Sequence, residues 1–307
     1  YLVAIHTHGS FSAAADSCAV TQSTLSAGIK ELETILGHPL VNRSRPKKNE
    51  TTTLTPFGLE TYEAAQKILN DTDHIIARSK HLDKPLSGPL RLGIIPTIAP
   101  YMLPEILPQL THNFPNLELQ LHEDFTDRLL DSLNKNQIDL ALMAFPYDTK
   151  NMTQHLLFEE PFLAAIPAPT NSSPSLLAGE GRGGGAASKS RPQSKTINIR
   201  DLKPESLLLL EDGHCLRDHA LTACKLQTAT TRKTFSATSL PTLIQMVSAG
   251  FGMTLLPQMA CSPNALPQNI HLLPFKDKSP PTRQIGLCWR ESDPKAGDYE
   301  LLAKHIV

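Results

Sequence analysis

Residues 207–224 read LLLLEDGHCLRDHALTAC, and the folding of this stretch decides how the second half of the chain is built. Four consecutive leucines, Leu207 to Leu210, bounded by acidic residues and Gly213, have the pattern of a short strand buried on both faces. Asp212 stands where a helix N-cap belongs, and the run from His214 to Cys224 has the composition of a helix. Cys215 then falls at about the third helical position, where unsatisfied backbone N–H groups and the helix dipole favour a thiolate. His214 and Arg217 flank it with potential positive charge that acts in the same direction. Cys224 lies nine residues further on. In an unbroken helix that is a rise of ~13.5 Å, against the about 4.4–6.8 Å between the Cα atoms of a disulfide. A bond between the two would require the segment to unwind. Two unrelated thiols, one exposed and one in the core, satisfy the same spacing.

Around this stretch, from residue 86 onward, strands alternate with helices. Residues 90–95, 117–122 and 138–144 read as strands, and 101–112 and 127–135 as the helices between them. The alternation predicts parallel α/β units. A second lobe begins near Phe162 and continues through strand 234–237, helix 239–249 and strand 253–256. The chain then returns with strand 284–289 and a last helix from about Gly297. Residues 172–194 are low-complexity, rich in Gly, Ser and Ala and without apolar periodicity, which predicts a disordered surface insertion. A phosphate loop is excluded there by the missing GK[ST] ending.

Residues 1–58 read as a compact helical unit with a wing. Gly9 stops a first helix, Ser10 or Ser12 caps a second over 11–17, and Thr21 caps a third that Gly37 ends. Leu25, Ile29, Leu32 and Leu36 form its core stripe, while Gln22, Ser23, Thr24 and Ala27 occupy the other side of its first turns. Two short helices joined by a tight turn, the second with a polar N-terminus, make a helix-turn-helix. Arg43, Arg45, Lys47 and Lys48 form a local basic cluster, and 51–55 read as a wing strand. From Pro56 to about Leu82, Tyr62, Ala65, Leu69, Thr72, Ile76, Ser79 and Leu82 recur at threes and fours, the seam of a dimerisation arm. Residues 59–85 are thus a linker helix and hinge, and 86–307 form the α/β part.

Two stretches carry a family resemblance. GSFSAAADSCAVTQSTLSAGIKELETILGHPLVNR, residues 9–43, is similar almost throughout to the N-terminal signature of the LysR-type transcriptional regulators. EDGHCLRD followed by AL and a second cysteine, residues 211–224, resembles the redox segment of the peroxide-sensing members of that family. The resemblance implies an all-α winged helix-turn-helix joined to a two-lobed α/β effector domain of periplasmic-binding-protein type. It implies that Gln22, Ser23, Thr24, Ser26 and Lys30, with Thr53 and Thr55 of the wing, face DNA, and that Arg43 holds a phosphate. It implies Cys215 as the peroxidatic thiol and Cys224 as its resolving partner in a reversible disulfide. Three strand-to-helix junctions, IIPT, LHEDFT and EDGHC, supply the matching pocket. Thr97 and Thr126 would hold the peroxide, with His122, His214, Arg217 and Asp218 around it and Arg290 polarising it. Two departures stand out: Ser236 occupies FSATS where the peroxide-sensing pattern has Arg, and the family joins its lobes by a link much shorter than 172–194.

The partners implied are an operator in double-stranded DNA, hydrogen peroxide, a second copy or a tetramer of the chain, RNA polymerase and a cytosolic thiol reductant. No cofactor and no metal are implied. A metal set of His214, Cys215, His219 and Cys224 lacks the spacing of a metal site. The net charge of −1 neither requires nor excludes nucleic acid. Hydrophobic content of 40% with no run near the ~20 apolar residues of a membrane span predicts a soluble globular protein, the cytoplasm is the default expectation, and the resemblance implies association with the nucleoid. Five scattered cysteines suit no disulfide framework, and Cys18, Cys261 and Cys288 read as buried small hydrophobes. The chain opens at Tyr1 inside a helical pattern, which predicts a few residues ahead of it. Two other functions fit parts of the pattern: a thiol peroxidase built on Cys215, and a regulator that senses a metabolite between the lobes.

Overall fold

The computed structural model describes residues 1–42, 51–79, 84–168, 195–223, 236–262 and 266–306. Arg43 with the rest of the basic cluster, the insertion at 172–194 and Cys224 lie outside them. The N-terminal unit packs α1 (Leu2–His8), α2 (Phe11–Ser17) and α3 (Gln22–Leu36) around a core of Leu2, Ile5, Ala14, Ala15, Leu25, Ile29, Leu40 and Val41. Its ends are set by local chemistry. Ser10 Oγ accepts the Ala13 N–H at 3.2 Å and Thr21 Oγ1 the Thr24 N–H at 3.2 Å, so each hydroxyl satisfies a donor the helix cannot. Gly9 and Gly37 end α1 and α3 with φ of 69° and 74°. The predicted α3 stripe turns inward only as far as Leu32. Leu36 is exposed, because the last turn runs past the edge of this small core.

The predicted wing strand reduces to one bridged pair, Val41 with Leu54, and an Asn42 N–H donated to Thr53 O at 3.0 Å. The long helix α4 (Pro56–Ser79) starts at a cap, Thr55 Oγ1 accepting the Gly58 N–H at 2.9 Å. A Cβ at position 58 would stand 2.0 Å from the Leu40 carbonyl oxygen, so only glycine lets the helix leave this close to the backbone before it. Further along, Ile68, Leu69 and Ile75 are 65%, 51% and 70% exposed. No described helix is long and apolar enough to cross a membrane.

In the α/β part, β1 (Gly88–Ile94), α5 (Ala99–Asn113), β2 (Leu117–Glu123), α6 (Thr126–Asn134) and β3 (Leu140–Phe145) follow the predicted alternation, with β1 parallel to both neighbours. The sheet as a whole is mixed, not parallel. A strand of 16 residues, β4 (Met152–Pro167), was not anticipated from the sequence. Pro161 and the half-buried run before it hide its periodicity. β4 pairs antiparallel with β9 (Thr282–Arg290), which pairs antiparallel with β3. Beyond Phe162, β4 enters the second lobe and pairs with β7 (Thr254–Pro257) and β8 (Ile270–Pro274), the latter also unanticipated. α9 (Ala296–Ile306) closes the first lobe.

The four leucines form less strand than expected. Only Leu209–Leu210 is β5, parallel to β6 (Ser236–Ala237), while Leu207 bridges Met253. All four are nonetheless buried in the second lobe's core, together with α8 (Leu240–Ser248). The following helix, α7 (Cys215–Ala223), begins at Cys215 itself, so the cysteine occupies the first helical position and not the third. Asp212 lies too far upstream to cap it, and its carboxylate instead accepts from Arg217 Nη1 at 2.8 Å.

Candidate functional site

α7 straddles the lobes. Leu216, Ala220 and Leu221 pack into the second lobe, whereas the Cys215 side chain belongs to the core of the first, with Ile95, Phe145 and Ile285. Two of the three predicted junctions meet it there. Thr97 follows β1 and is 2% exposed; Thr126, the first residue of α6, is 1% exposed; Cys215 is 5% exposed. The Thr126 hydroxyl lies against the thiol and lowers its pKa, yet among the described residues it finds no partner of good hydrogen-bond geometry. A buried hydroxyl left in this state is costly, and a ligand with donor and acceptor oxygens would satisfy it.

The buried cation of the site is Arg283, near the start of β9, which sequence reasoning passed over. Its Nη1 donates to Thr97 Oγ1 at 3.1 Å, its Nη2 to Thr97 O at 3.2 Å and its Nε to Glu160 Oε2 at 2.7 Å. Glu160 Oε1 in turn accepts the Met259 N–H at 2.7 Å. Arg283 is separated from Cys215 by 68 positions in the chain (283 − 215), and no local motif marks it. A charged residue in the third place before GLCWR was the sole available signal.

Arg290, predicted for this role, sits at the opposite end of the same strand. Its Nη1 donates to Leu133 O at 2.7 Å and Ile138 O at 2.8 Å, and its Nη2 to Asp293 at 2.5 Å. It lines a different cavity, of about 400 Å3, between α4 and the first lobe. Seven residues of extended chain, roughly 23 Å, separate it from Arg283, so Arg290 anchors α6 and does not face the thiol. His122 is likewise displaced: it is exposed near the end of the sheet's edge strand β2, because LHEDFT turns Thr126 inward and leaves the histidine outside.

The electrostatics also correct the expectation of a ready thiolate. Burial raises the Cys215 pKa; Thr126, the Arg283 charge and a backbone hydrogen bond at Leu216 oppose that, and the Asp218 charge adds to it. His214 does not flank the thiol as a cation. It is buried, its Nε2 donates to Thr238 O at 3.0 Å, its ring meets Phe125 edge-on at 4.6 Å, and burial holds its pKa below the usual histidine value. Arg217 is spent on Asp212 and on Leu210 O. Asp218 is exposed at the mouth of a cavity of about 300 Å3 lined by Pro146, Tyr147, Cys215, His219, Thr222 and Thr282. The site is therefore a protonated, shielded sulfur beside one buried guanidinium and an unsatisfied hydroxyl.

The remaining cysteines behave differently from one another. Cys288 is fully buried, and burial pushes its thiol up to about 12. Cys261 is only half-buried, against the expectation, with its thiol raised to about 12 by burial and then by Glu160. Cys18 is half-buried at the turn after α2. No cluster of three or more His, Cys, Asp or Glu side chains among the described residues is placed to hold a metal ion.

The predicted DNA face is partly assembled. Gln22, Ser23, Thr24 and Lys30 are exposed along α3 and Ser26 is half-buried. Thr53 is exposed, its hydroxyl accepting from Asn42 Nδ2 at 3.0 Å. Thr55 is engaged internally: besides capping α4 it donates to Pro39 O at 2.7 Å, so its hydroxyl is not presented outward.

A helix-turn-helix followed by a long helix and a two-lobed mixed α/β domain defines a DNA-binding transcriptional regulator. The chain belongs to the LysR family: residues 1–59 match the bacterial regulatory helix-turn-helix protein, lysR family, and residues 83–306 the LysR substrate binding domain. The family is one of DNA-binding regulators and not of enzymes, which removes the thiol peroxidase reading. Among its relatives, the hydrogen peroxide-inducible genes activator of Dickeya chrysanthemi is 38% identical over 306 residues, covering 100% of this chain and 92% of that protein. The DNA-binding transcriptional dual regulator OxyR of Escherichia coli strain K12 is 37% identical over 308 residues, with the same coverage. A full-length OxyR from Pseudomonas aeruginosa with one cysteine changed to aspartate superposes with a TM-score of 0.71 at 32% identity, covering 100% of this chain and 95% of that one.

Proposed function

We propose that this regulator senses hydrogen peroxide through Cys215 and controls oxidative-stress genes from the cytoplasm as a homodimer or homotetramer. The observation that supports it most is the placement of one thiol from the second lobe inside the first lobe's core, against Thr126 and the charge of Arg283. Peroxide oxidises the sulfur to a sulfenic acid. Oxidation turns a side chain packed in the first lobe's core into a more polar one, so the oxidised side chain leaves and α7 unwinds with it. Cys224 then condenses with the sulfenic acid, and cytosolic thiols reset the pair. Loss of the Cys215 anchor repacks the lobes, and the change reaches the winged domains through α4, whose Asn70 Nδ2 donates to Asn136 O at 2.9 Å.

Peptide mapping of the full chain before and after hydrogen peroxide tests the reading. The expected product is a Cys215–Cys224 disulfide, lost in Cys215→Ser together with the transcriptional response, and replaced in Cys224→Ser by a dimedone-reactive sulfenic acid. Transcription that responds while both thiols stay reduced would place the signal elsewhere, as a metabolite bound between the lobes would.

A further inference from the structure

His219 stands four residues after Cys215, one turn along α7, and the two side chains line the same cavity. Its ring is locked. Nε2 lies 3.0 Å from Pro146 O, and a carbonyl can only accept, so Nε2 carries the proton. Nδ1 is then a bare lone pair. It is buried, and no partner reaches it among the described residues. A structural histidine in a core of this density would have both nitrogens satisfied. Here one is satisfied and the other is held on the ring edge away from Pro146. The charged and titratable groups facing the ring are Arg283 from β9, Asp218 and Cys215 from α7 and Tyr147 from the segment after β3. Burial and Arg283 both disfavour the imidazolium, so the ring is a neutral base at pH 7.

We propose that His219 Nδ1 is the proton acceptor and donor for oxidation of Cys215, an assignment that rests on the peroxide reading above. The protonated thiol needs such a group, because its burial makes spontaneous ionisation rare. No group of the described residues, Cys215 included, is within hydrogen-bond reach of Nδ1, so the thiol proton reaches it by way of the peroxide held in the cavity that both side chains line. The sulfur then forms a bond to one peroxide oxygen as the O–O bond breaks, the sulfur being oxidised by two electrons and the peroxide reduced. The departing hydroxide takes the proton back from Nδ1 and leaves as water, while the sulfenic acid keeps the other oxygen with its hydrogen. The imidazole ends neutral, as it began. Arg283 stabilises the thiolate while it exists, and Thr126 is free to hold the peroxide.

The test is the rate of sulfenic acid formation with hydrogen peroxide in the full chain carrying Cys224→Ser, measured from pH 4.5 to 8.5 with and without His219→Gln. Glutamine keeps a donor for Pro146 O and nearly the same volume. With His219 present, the rate should fall about tenfold per pH unit once the imidazole is protonated. His219→Gln should be at least about tenfold slower at pH 7 and should converge on the parent rate in acid; His214, unchanged in both, cancels from the comparison. A rate ratio that is the same at every pH overturns the assignment, since a purely structural role would give that. If the parent forms no sulfenic acid, the peroxide reading falls and this proposal with it; if only the variant matches the parent, this proposal alone falls.

Discussion

Arg283 Nη1 donates to Thr97 Oγ1 at 3.1 Å with both side chains almost completely buried, and this bond ties the start of β9 to the junction after β1. The guanidinium is held in place by Glu160, whose other oxygen accepts the Met259 N–H. A buried charge so enclosed can neither move nor be screened, which makes it a fixed source of positive potential at Cys215.

Removing one partner of that pair should be worse than removing both. Arg283→Met leaves Glu160 buried without a counter-ion and should cost about 3–5 kcal/mol. Arg283→Met with Glu160→Gln should recover a large part of that loss while still raising the Cys215 pKa. Urea unfolding of the single and double variants, with iodoacetamide reactivity of Cys215 against pH, checks both halves. Additive losses would show that the two side chains are not coupled.

Acid should weaken the fold through two buried histidines. His214 and His219 have pKa values lowered by burial in the folded protein, from an unfolded value of 6.5. Above that value both are neutral folded and unfolded, and neither contributes. Below it the unfolded chain takes up protons that the folded chain refuses, so stability falls as pH drops from about 6.5. Thermal unfolding at pH 7.5 and pH 5.5 should show a lower Tm in acid, with a smaller decrement in His219→Gln. An equal decrement in the variant would mean that other groups dominate.

The DNA face separates into a residue that reads and one that builds. Gln22→Ala, at an exposed position in the first turn of α3, should change preference among operator sequences and leave Tm unchanged. Thr55→Ala removes the α4 cap and should cost about 1 kcal/mol without changing preference. Arg43→Ala should weaken all operators alike and flatten the salt dependence. Footprinting titrations at two salt concentrations, with Tm measured alongside, distinguish the three.

The exposed apolar residues of α4 should be covered by a second copy. Ile68, Leu69 and Ile75 present more side chain to solvent than a lone helix tolerates. Leu69→Glu should shift the chain toward monomer in sedimentation velocity and abolish binding to paired half-sites. An unchanged oligomer would move the interface off this face.

The sequence by itself determined what depends on near neighbours. Ser10, Thr21 and Ser239 cap helices because a hydroxyl meets a backbone N–H three residues on, a relation contained within one turn. Periodicity likewise marked β1, β2, β3 and their helices, and the segment that places Cys215 at a helix start. Tertiary structure decided everything that required two distant segments to meet. β4 and β9 pair antiparallel across more than a hundred residues, and neither carries a mark of the other. That pairing brought Arg283 to the thiol and carried Arg290 away, although the two differ by seven positions on one strand. It also reversed the expected ionisation of Cys215. Local sequence promised a helix terminus and flanking cations. The assembled core supplied burial, which outweighs a helix terminus because a charge in an apolar interior loses its water, and only another segment can replace it.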